Sequence, residues 1–300
     1  MSANSLKRAV IFAHYDRDGL VDDYVLYYLS SLRKVCGFIV FVSTAELSQA
    51  ELGKVQNLAE VVIKRENVGH DFFSYKAGLD ELRKHAPESY SEVILCNDSV
   101  YGPLYPMEEM FAAMERTGAD FWGVTEAQEL AHHLQSYFLV FRRSVLQSAP
   151  FLDFWAAMAP LSDRAEIVRR YEVGLSQLLE ARGFKAAAYV KAGAFSSRGY
   201  ARLMAARLKK LFTMPRAELR SKLGKFFSGA SSMHPNPTFT LWRELLVEKR
   251  NPFLKISLLR YNPAGVKIED YPEIIKNATV YDARLIAKHL ARVEPSGPKI

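Results

Sequence analysis

One carboxylate, Asp98, stands in a polar turn directly after a short buried-strand pattern. Residues 92–103 read Glu-Val-Ile-Leu-Cys-Asn-Asp-Ser-Val-Tyr-Gly-Pro. Ligands of open α/β sheets bind in the crevice beyond the carboxyl ends of the strands, where oxygen-bearing side chains can meet a polar ligand or a metal. The pattern therefore predicts that Asn97, Asp98 and Ser99 face a ligand. Ordinary turn or helix-capping chemistry is the alternative interpretation of the same triplet.

Two further polar clusters follow predicted strands. They are His14, Tyr15, Asp16 and Asp18 after the first strand, and residues 65–71 after the third. Asn67, Gly69 and Asp71 supply an amide, a flexible glycine and a carboxylate ahead of a helix, which suits a sugar hydroxyl, a base edge or a phosphate. Lys76 lies within that helix and could reach an anion. Because parallel strands bring their carboxyl ends to one edge, we expect the clusters to converge. Each also has a plainer interpretation, as helix cap, solvated face or turn former.

Glu172 is the best candidate for a general base. It lies in Arg169-Arg170-Tyr171-Glu172-Val173-Gly174, on an otherwise amphipathic helix pattern. An inverting group transfer needs one carboxylate to accept the proton of the acceptor hydroxyl. A surface ion pair with Arg169 or Arg170 is the alternative, since exposed helix pairs of this kind are common.

Several other chemistries lack their motifs. The chain has no Gly-x-Gly-x-x-Gly after the first strand, no Walker loop and no Gly-x-Ser-x-Gly elbow, which disfavours dehydrogenases, P-loop kinases and hydrolases of those folds. His132 and His133 are adjacent, so their rings point to different sides and no metal site is expected there. What remains is nucleotide-sugar chemistry, in which a strand-end acid and a divalent cation hold a pyrophosphate leaving group.

Alternating apolar runs and helical patterns predict the elements that would position these residues. Strands are expected at about 8–14, 38–43, 61–64, 92–96, 120–124, 134–142 and 184–190, and helices at about 21–32, 48–59, 73–85, 106–117, 144–158, 163–182 and 239–249. This order indicates an α/β fold with parallel strands joined by helical crossovers. We expect a nucleotide-sugar-binding catalytic domain over 1–193 and a basic, mainly helical region over 194–300.

The composition predicts a soluble globular protein. Apolar residues make up 49% of the 300, no run approaches the roughly 20 apolar residues of a membrane span, and Met1 to Arg8 shows no cleavable apolar segment, so a cytoplasmic location is expected. Cys36 and Cys96 lie among apolar neighbours, which predicts reduced, buried thiols.

The net charge of +7 is concentrated in one segment. Residues 198–225 contain nine Lys or Arg and one Glu, interleaved with Leu and Phe. This basic amphipathic pattern predicts binding to an anionic membrane surface, at about 1 kcal/mol for each basic residue. A helical hairpin packed on the core is the alternative. No helix-turn-helix, cysteine metal-ligand pair or aromatic strand motif supports nucleic-acid binding.

A set of blocks along the chain carries a family resemblance. The blocks are Phe12-Ala13-His14-Tyr15-Asp16, residues 22–29, Phe41-Val42-Ser43, Arg65 to Gly78, Asn97-Asp98-Ser99-Val100-Tyr101-Gly102-Pro103, Gln135-Ser136-Tyr137-Phe138, Tyr171-Glu172-Val173-Gly174, Asn236-Pro237-Thr238, Trp242 and Pro252-Phe253-Leu254-Lys255. Together they resemble the rhamnan synthesis F family over nearly the whole chain.

The resemblance implies a glycosyltransferase with a GT-A-like, Rossmann-type, mostly parallel sheet flanked by helices. It further implies a nucleoside-diphosphate sugar donor, with rhamnose as the sugar, and a lipid-linked glycan acceptor in the assembly of rhamnose-rich polysaccharides or O-chains. By position, Asp98 corresponds to the strand-end metal acid, Asp71 to a nucleotide or sugar contact, and Glu172 to the acceptor-side base. The other expected donor contacts are His14, Asp16, Arg65, Asn67, Gly69, Lys76, Asn97 and Ser99.

The turn departs from the usual pattern of such enzymes in one respect. GT-A enzymes usually place two carboxylates in Asp-x-Asp, whereas Asp98 stands alone between Asn97 and Ser99. A lone carboxylate can hold Mg²⁺ or Mn²⁺ if donor phosphates and water complete its coordination, and Arg65 or Lys76 could replace the metal. The missing second carboxylate supports one rival function, a non-catalytic adaptor for glycan assembly. A nucleotidyltransferase that forms sugar nucleotides is a second rival, although no Gly-rich, Lys- or Arg-bearing triphosphate loop occurs near residue 14.

Overall fold

The computed structural model describes residues 7–85, 89–128, 130–191 and 236–293. These residues form an eight-stranded sheet with the order β3-β2-β1-β4-β8-β6-β7, in which β9 also pairs with β6. The strands are β1 (Arg8–His14), β2 (Phe38–Ser43), β3 (Val61–Lys64), β4 (Glu92–Asn97), β6 (Phe121–Ala127), β7 (His133–Leu134), β8 (Phe138–Arg142) and β9 (Ala186–Val190). Two short strands, β5 (Val100–Tyr101) and β10 (Leu254–Lys255), pair separately.

Helices cover both faces of this sheet. In the N-terminal part they are α1 (Asp23–Arg33), α2 (Gln49–Gln56), α3 (His70–Leu82), α4 (Met107–Glu115), α5 (Arg143–Leu146), α6 (Ala149–Ala156), α7 (Arg164–Ile167) and α8 (Gly174–Ala181). A π-helical turn, Val168–Val173, joins α7 to α8. The C-terminal helices are α9 (Pro237–Thr240), α10 (Trp242–Val247), α11 (Ile256–Tyr261), α12 (Tyr271–Ala278) and α13 (Arg284–Val293).

The core consists of two apolar layers, one on each face of the sheet. Successive side chains of a strand point to opposite faces, and β1 shows this clearly because Val10 and Phe12 join one buried cluster while Ile11 joins the other. The first cluster also contains Trp242 and Ile286 from the C-terminal helices. Residues 236–293 therefore pack on the same core as the sheet.

The predicted class, a mostly parallel α/β sheet flanked by helices with a mainly helical C-terminal part, is confirmed. β1 pairs in parallel with β2 and β4, and β2 with β3. The expected bounds of β1, β2 and β3 agree with the structure. Both cysteines are buried free thiols, as predicted.

The single strand predicted over 134–142 is wrong. A turn at Gln135–Tyr137 divides it into β7 and β8, and β8 runs antiparallel to β4 and β6. Apolar side chains on both sides of the turn gave one uninterrupted pattern, which periodicity cannot divide. The helices expected over 144–158 and 163–182 are likewise each interrupted.

The domain boundary near residue 193 and the basic segment 198–225 lie outside the described residues, and both stay predictions. Within the described ranges, no helix is both long and apolar enough to cross a membrane.

Candidate functional site

The turn after β4 places Asp98 against the end of β1. Register pairs Ala13 with Asn97, and the backbone N–H of Tyr15 donates to Asp98 Oδ2 at 2.8 Å. The hydroxyl of Tyr24 donates to the backbone carbonyl of Asp98 at 3.1 Å. Burial raises the pKa of Asp98 well above its usual value, and the negative charge of Asp71 adds to the effect. The structure thus keeps a carboxyl group in a place where its negative charge is poorly solvated.

Asn97 links this turn to the helix that follows β3. Its Nδ2 donates to Asp71 Oδ2 at 2.7 Å, and its Oδ1 accepts from the N–H and the hydroxyl of Ser99 at 3.1 and 2.6 Å. Burial also raises the pKa of Asp71. Two poorly solvated carboxyl groups therefore flank one hydrogen-bonded amide, an arrangement that attracts a cation.

His14 does not supply that positive charge. Its ring is buried, its Nδ1 lies 3.0 Å from Ser43 Oγ, and its Nε2 lies 3.9 Å from Asp98 Oδ2. Burial lowers the pKa of His14 to about 4, so the imidazole is neutral at neutral pH.

Asp16 is held by a residue from the far end of the chain. The guanidinium of Arg292 binds Asp16, donates to Asp18 Oδ2 at 2.8 Å and donates to Asp22 Oδ2 at 2.5 Å. Asp16 Oδ1 also accepts from the N–H of Asp18 at 2.9 Å and of Leu20 at 3.1 Å. Burial opposes ionisation of Asp16, but the hydrogen bond from Arg292 holds its pKa below the usual range. Asp16 therefore orders the loop between β1 and α1.

Glu172 lies in the π-helical turn, and its Oε1 accepts from the N–H and the hydroxyl of Ser136 at 2.7 and 2.9 Å. Such turns are often found at functional sites. The alternative of an ion pair with the neighbouring arginines is wrong, because Arg169 and Arg170 approach Glu166 at 3.8 and 2.9 Å instead. Two donors fix one oxygen of Glu172 at a defined place.

A cleft of about 720 Å³ brings most of the predicted residues together. Its lining includes His14, Asp16, Asp71, Asn97, Asp98, Ser99 and Glu172. It therefore unites residues from the ends of β1 and β4, from α3 and from the π-helical turn. The convergence expected for the strand-end clusters is present for six of these residues, and Glu172 joins them from the π-helical turn.

Four predicted residues lie elsewhere, in the segment between β3 and α3 or along α3. Arg65 donates to Ser74 Oγ at 3.0 Å and to the carbonyl of Val68, and Lys76 pairs with Asp80 at 3.3 Å. Neither cation lines the cleft, and neither do Asn67 and Gly69. Gly69 has a left-handed backbone conformation with φ of 74° directly before α3, and glycine adopts this conformation without strain. The glycine is therefore explained by the turn.

The cleft lining contains four Arg or Lys residues that were not predicted as site residues. Arg17 comes from the loop after β1, Arg164 from α7, Lys255 from β10 and Arg260 from α11. Lys255 Nζ lies 4.1 Å from the ring centroid of Tyr137, another lining residue. Lys255 and Tyr137 fall in two of the blocks that carried the resemblance, which was the one signal for them.

The protein could supply only some of the ligands that a divalent cation needs at this site, and other molecules would have to supply the rest. Among the residues that the structure describes, no three His, Cys, Asp or Glu side chains are grouped to hold a metal ion. Asp98 fits a site of the Mg²⁺ type, in which one or two carboxylates bind the ion together with water and substrate phosphates. Asp71 is less suited because Asn97 already binds one of its oxygens.

Comparison with solved structures gives only remote likenesses. A 4-diphosphocytidyl-2C-methyl-D-erythritol synthase from Anaerococcus prevotii matches with a TM-score of 0.39 and 12% identity, over 63% of this chain and 88% of that one. The mannosyltransferase Ktr4p from S. cerevisiae matches with a TM-score of 0.32 and 10% identity, over 52% of this chain and 61% of that one. Scores this low carry no argument about function.

Sequence comparison is more informative. The virulence protein VirA of Vibrio anguillarum is 26% identical over 276 residues, which is 90% of this chain and 83% of that protein. The family model described as "Rhamnan synthesis protein F" matches residues 39–204, more than half of the chain. This range includes Asp71, Asp98 and Glu172 of the cleft. The chain belongs to the rhamnan synthesis protein F family.

Proposed function

We propose that this protein is a glycosyltransferase that moves a sugar, rhamnose, from a nucleoside-diphosphate donor to a polysaccharide acceptor. The observation that carries the proposal is the meeting of Asp98 and Glu172 in one cleft. One carboxyl group lies at the carboxyl end of the central strands, and the other lies on a π-helical turn. Membership of a family named for rhamnan synthesis supports a transferase acting in polysaccharide synthesis.

Asp98 acts on the leaving group. A buried carboxyl group with a raised pKa becomes more stable when a cation approaches it. Asp98 would hold a Mg²⁺ or Mn²⁺ ion together with the donor phosphates, and the ion would supply neutralisation of the charge that develops on the departing diphosphate. The N–H of Tyr15 fixes the carboxylate in position for this.

Glu172 acts on the acceptor. Both donors from Ser136 bind the same carboxylate oxygen, Oε1. In an inverting transfer the carboxylate takes the proton of the attacking hydroxyl, a step worth about 10²–10⁴ in rate. The two hydrogen bonds from Ser136 fix the orientation of the Glu172 carboxylate. This orientation sets the direction in which the carboxylate meets an acceptor hydroxyl.

The acceptor we propose is a lipid-linked glycan at the inner face of the cytoplasmic membrane. The basic amphipathic sequence of residues 198–225 supports an anionic membrane surface as the docking partner. A fluorescence titration of the whole protein with vesicles containing anionic lipid checks this part separately from the chemistry.

A donor screen tests the main proposal. The purified protein is titrated calorimetrically with nucleoside diphosphates, with and without Mn²⁺, and release of nucleoside diphosphate from the matching sugar donors is then measured. We expect Asp98→Asn to lose most turnover while melting at or above the wild-type temperature, because it removes a poorly solvated charge. Asp80→Asn is the matched control, since Asp80 pairs with Lys76 and Arg83 outside the cleft.

Three results would redirect the assignment. Absence of nucleotide binding would favour the adaptor, for which the single acid of the turn is the supporting feature. Release of pyrophosphate would favour the nucleotidyltransferase. Near-normal turnover by Asp98→Asn would remove Asp98 from the mechanism.

A further inference from the structure

Lys255 is tied through the backbone to the turn that carries Asp98. The pairing of β10 with β5 places Lys255 opposite Val100, two residues after Asp98. The N–H of Ile256 donates to the carbonyl of Ser99 at 3.0 Å. Strand register therefore fixes the backbone of this lysine next to the segment that directly follows Asp98, although the two residues are far apart in sequence.

A rigid aromatic ring holds the side chain of Lys255. Its ammonium lies 4.1 Å from the centroid of Tyr137, within the range of a cation–π contact. Tyr137 is 2% exposed, and its hydroxyl lies 2.8 Å from Thr125 Oγ1, so the ring has little freedom to move. Both residues line the cleft.

The charge of Lys255 acts on the acids of the site. Burial raises the pKa of Asp71, while the hydrogen bond from Asn97 and then the positive charges of nearby side chains, Lys255 and Arg164 among them, partly offset that rise. Asp71 and Asp98 alone would repel a diphosphate. The cations suggested by local sequence, Arg65 and Lys76, are engaged outside the cleft.

We propose that Lys255, one of several cations that line the cleft, is a phosphate-binding residue of the site and contacts the diphosphate of the nucleotide donor. Lysine binds phosphate as a point charge and needs no fixed fork geometry. The identity of the ligand rests on the proposed function, whereas the placement of the cation rests on β10 and Tyr137. A side chain of the protein would then neutralise part of the negative charge of the diphosphate.

Calorimetric titration with a nucleoside diphosphate and with the corresponding nucleoside tests this assignment. We expect Lys255→Met to weaken diphosphate binding about tenfold or more and to leave nucleoside binding unchanged, while Lys255→Arg retains most of the affinity. The loss should be larger without a divalent cation, since the ion shares the neutralisation. Lys84→Met, which removes an exposed lysine paired with Glu81, is the matched control.

The outcomes separate the two proposals. Diphosphate binding that is equal in wild type and Lys255→Met overturns this inference and leaves the glycosyltransferase proposal standing. Equal loss of nucleoside and diphosphate binding also overturns it, because the lysine would then only maintain the shape of the cleft. A wild-type protein that binds no nucleoside diphosphate overturns both. Lys255→Gln replaces the methionine variant if the latter does not fold.

Discussion

Replacing Arg292 with methionine should destabilise the loop between β1 and α1. Arg292 is the last but one residue of α13, and its guanidinium contacts Asp16, Asp18 and Asp22. Its side chain is 21% exposed, and those of Asp16 and Asp22 are 11% and 13% exposed. Methionine keeps the apolar stem but leaves two largely buried carboxylates without their cation.

The size of the effect follows from these exposures. Removing one partner of a fully buried ion pair costs about 3–5 kcal/mol, and an exposed pair contributes about 0–1 kcal/mol. Asp16 keeps two backbone donors, Asp18 N–H and Leu20 N–H, and some solvent reaches the cluster. We therefore expect a loss of about 2–3 kcal/mol in the free energy of unfolding, or roughly 3–5 °C in melting temperature for a chain of 300 residues.

The loss should depend on pH with a definite sign. Arg292 holds the folded-state pKa of Asp16 below its usual value, although burial opposes this. The stabilisation is therefore complete above the usual aspartate pKa of about 3.9 and disappears as pH falls through the lower folded-state value. Wild type and Arg292→Met should differ most near pH 7, and the difference should shrink as the pH falls below about 3.9 toward the lower folded-state value.

Thermal and urea unfolding at pH 7 and at pH 3 measure both effects. Arg284→Met is the matched control, because Arg284 lies on the same helix, is 91% exposed and pairs only locally with Asp282 in the described contacts. Adding Asp22→Asn to Arg292→Met should restore part of the stability by removing one orphaned charge. The reasoning fails if Arg292→Met and Arg284→Met have the same melting temperature at pH 7. It also fails if the stability difference between wild type and Arg292→Met is unchanged at pH 3.

Three other predictions concern the proposed catalytic base, the packing of α3 and acid stability. Glu172→Gln should lower turnover about 10²–10⁴-fold in kinetic assays, while calorimetry should show an unchanged affinity for the nucleotide. The control variant Glu166→Gln, which removes the partner of Arg170, should leave turnover unchanged. Gly78→Ala should lose about 1–3 kcal/mol in urea unfolding, since its Cβ would lie 2.3 Å from Ile11 Cγ2, while Gly53→Ala meets nothing within 4 Å and should not destabilise. Wild type should lose roughly 3 kcal/mol relative to His14→Gln between pH 7 and pH 4. The pKa of His14 is lowered by burial to about 4, so in this range only the unfolded chain takes up the proton.

Local patterns sufficed for three strands of the parallel half of the sheet, β1, β2 and the edge strand β3. Arg8–His14, Phe38–Ser43 and Val61–Lys64 are short apolar runs bounded by polar residues, and each is a strand with those limits. Buried parallel strands read as continuous apolar runs, so their sequence signal is strong. Their helices shift by a few residues because caps and tertiary contacts decide where a helix ends.

Strand direction was harder to predict than strand position. β8 is as apolar as β4, yet it runs antiparallel to it. The composition of Phe138–Arg142 does not indicate in which direction this strand runs. Its direction depends on how the chain passes from Gly123 in β6 through β7. The alternation of strands and helices that predicts parallel pairing breaks where β6, β7 and β8 follow one another without a helix.

The acids of the candidate site could be found from sequence, and its cations could not. Asp98 directly follows β4, and Asp71 lies in the first turn of α3, after the loop that follows β3, so the general rule for ligand sites in α/β sheets locates both. Arg65 directly follows β3 and Lys76 lies one turn further along α3, but their side chains contact Ser74 and Asp80. Side-chain direction at these positions depends on local contacts that sequence spacing does not encode.

Part of the positive charge comes from the C-terminal region, through two contacts with different effects. Lys255 enters the cleft because β10 pairs with the residues directly after Asp98, whereas Arg292 neutralises the acidic loop after β1. If Lys255 binds the donor phosphates as proposed, the single acid of the turn does not leave the site incomplete. The segment that brings Lys255 to the cleft would then lessen the need for a second metal ligand, because the cation would reach the phosphates directly. Metal dependence and the contribution of Lys255 should therefore vary inversely, which the titrations with and without Mn²⁺ measure in a single experiment.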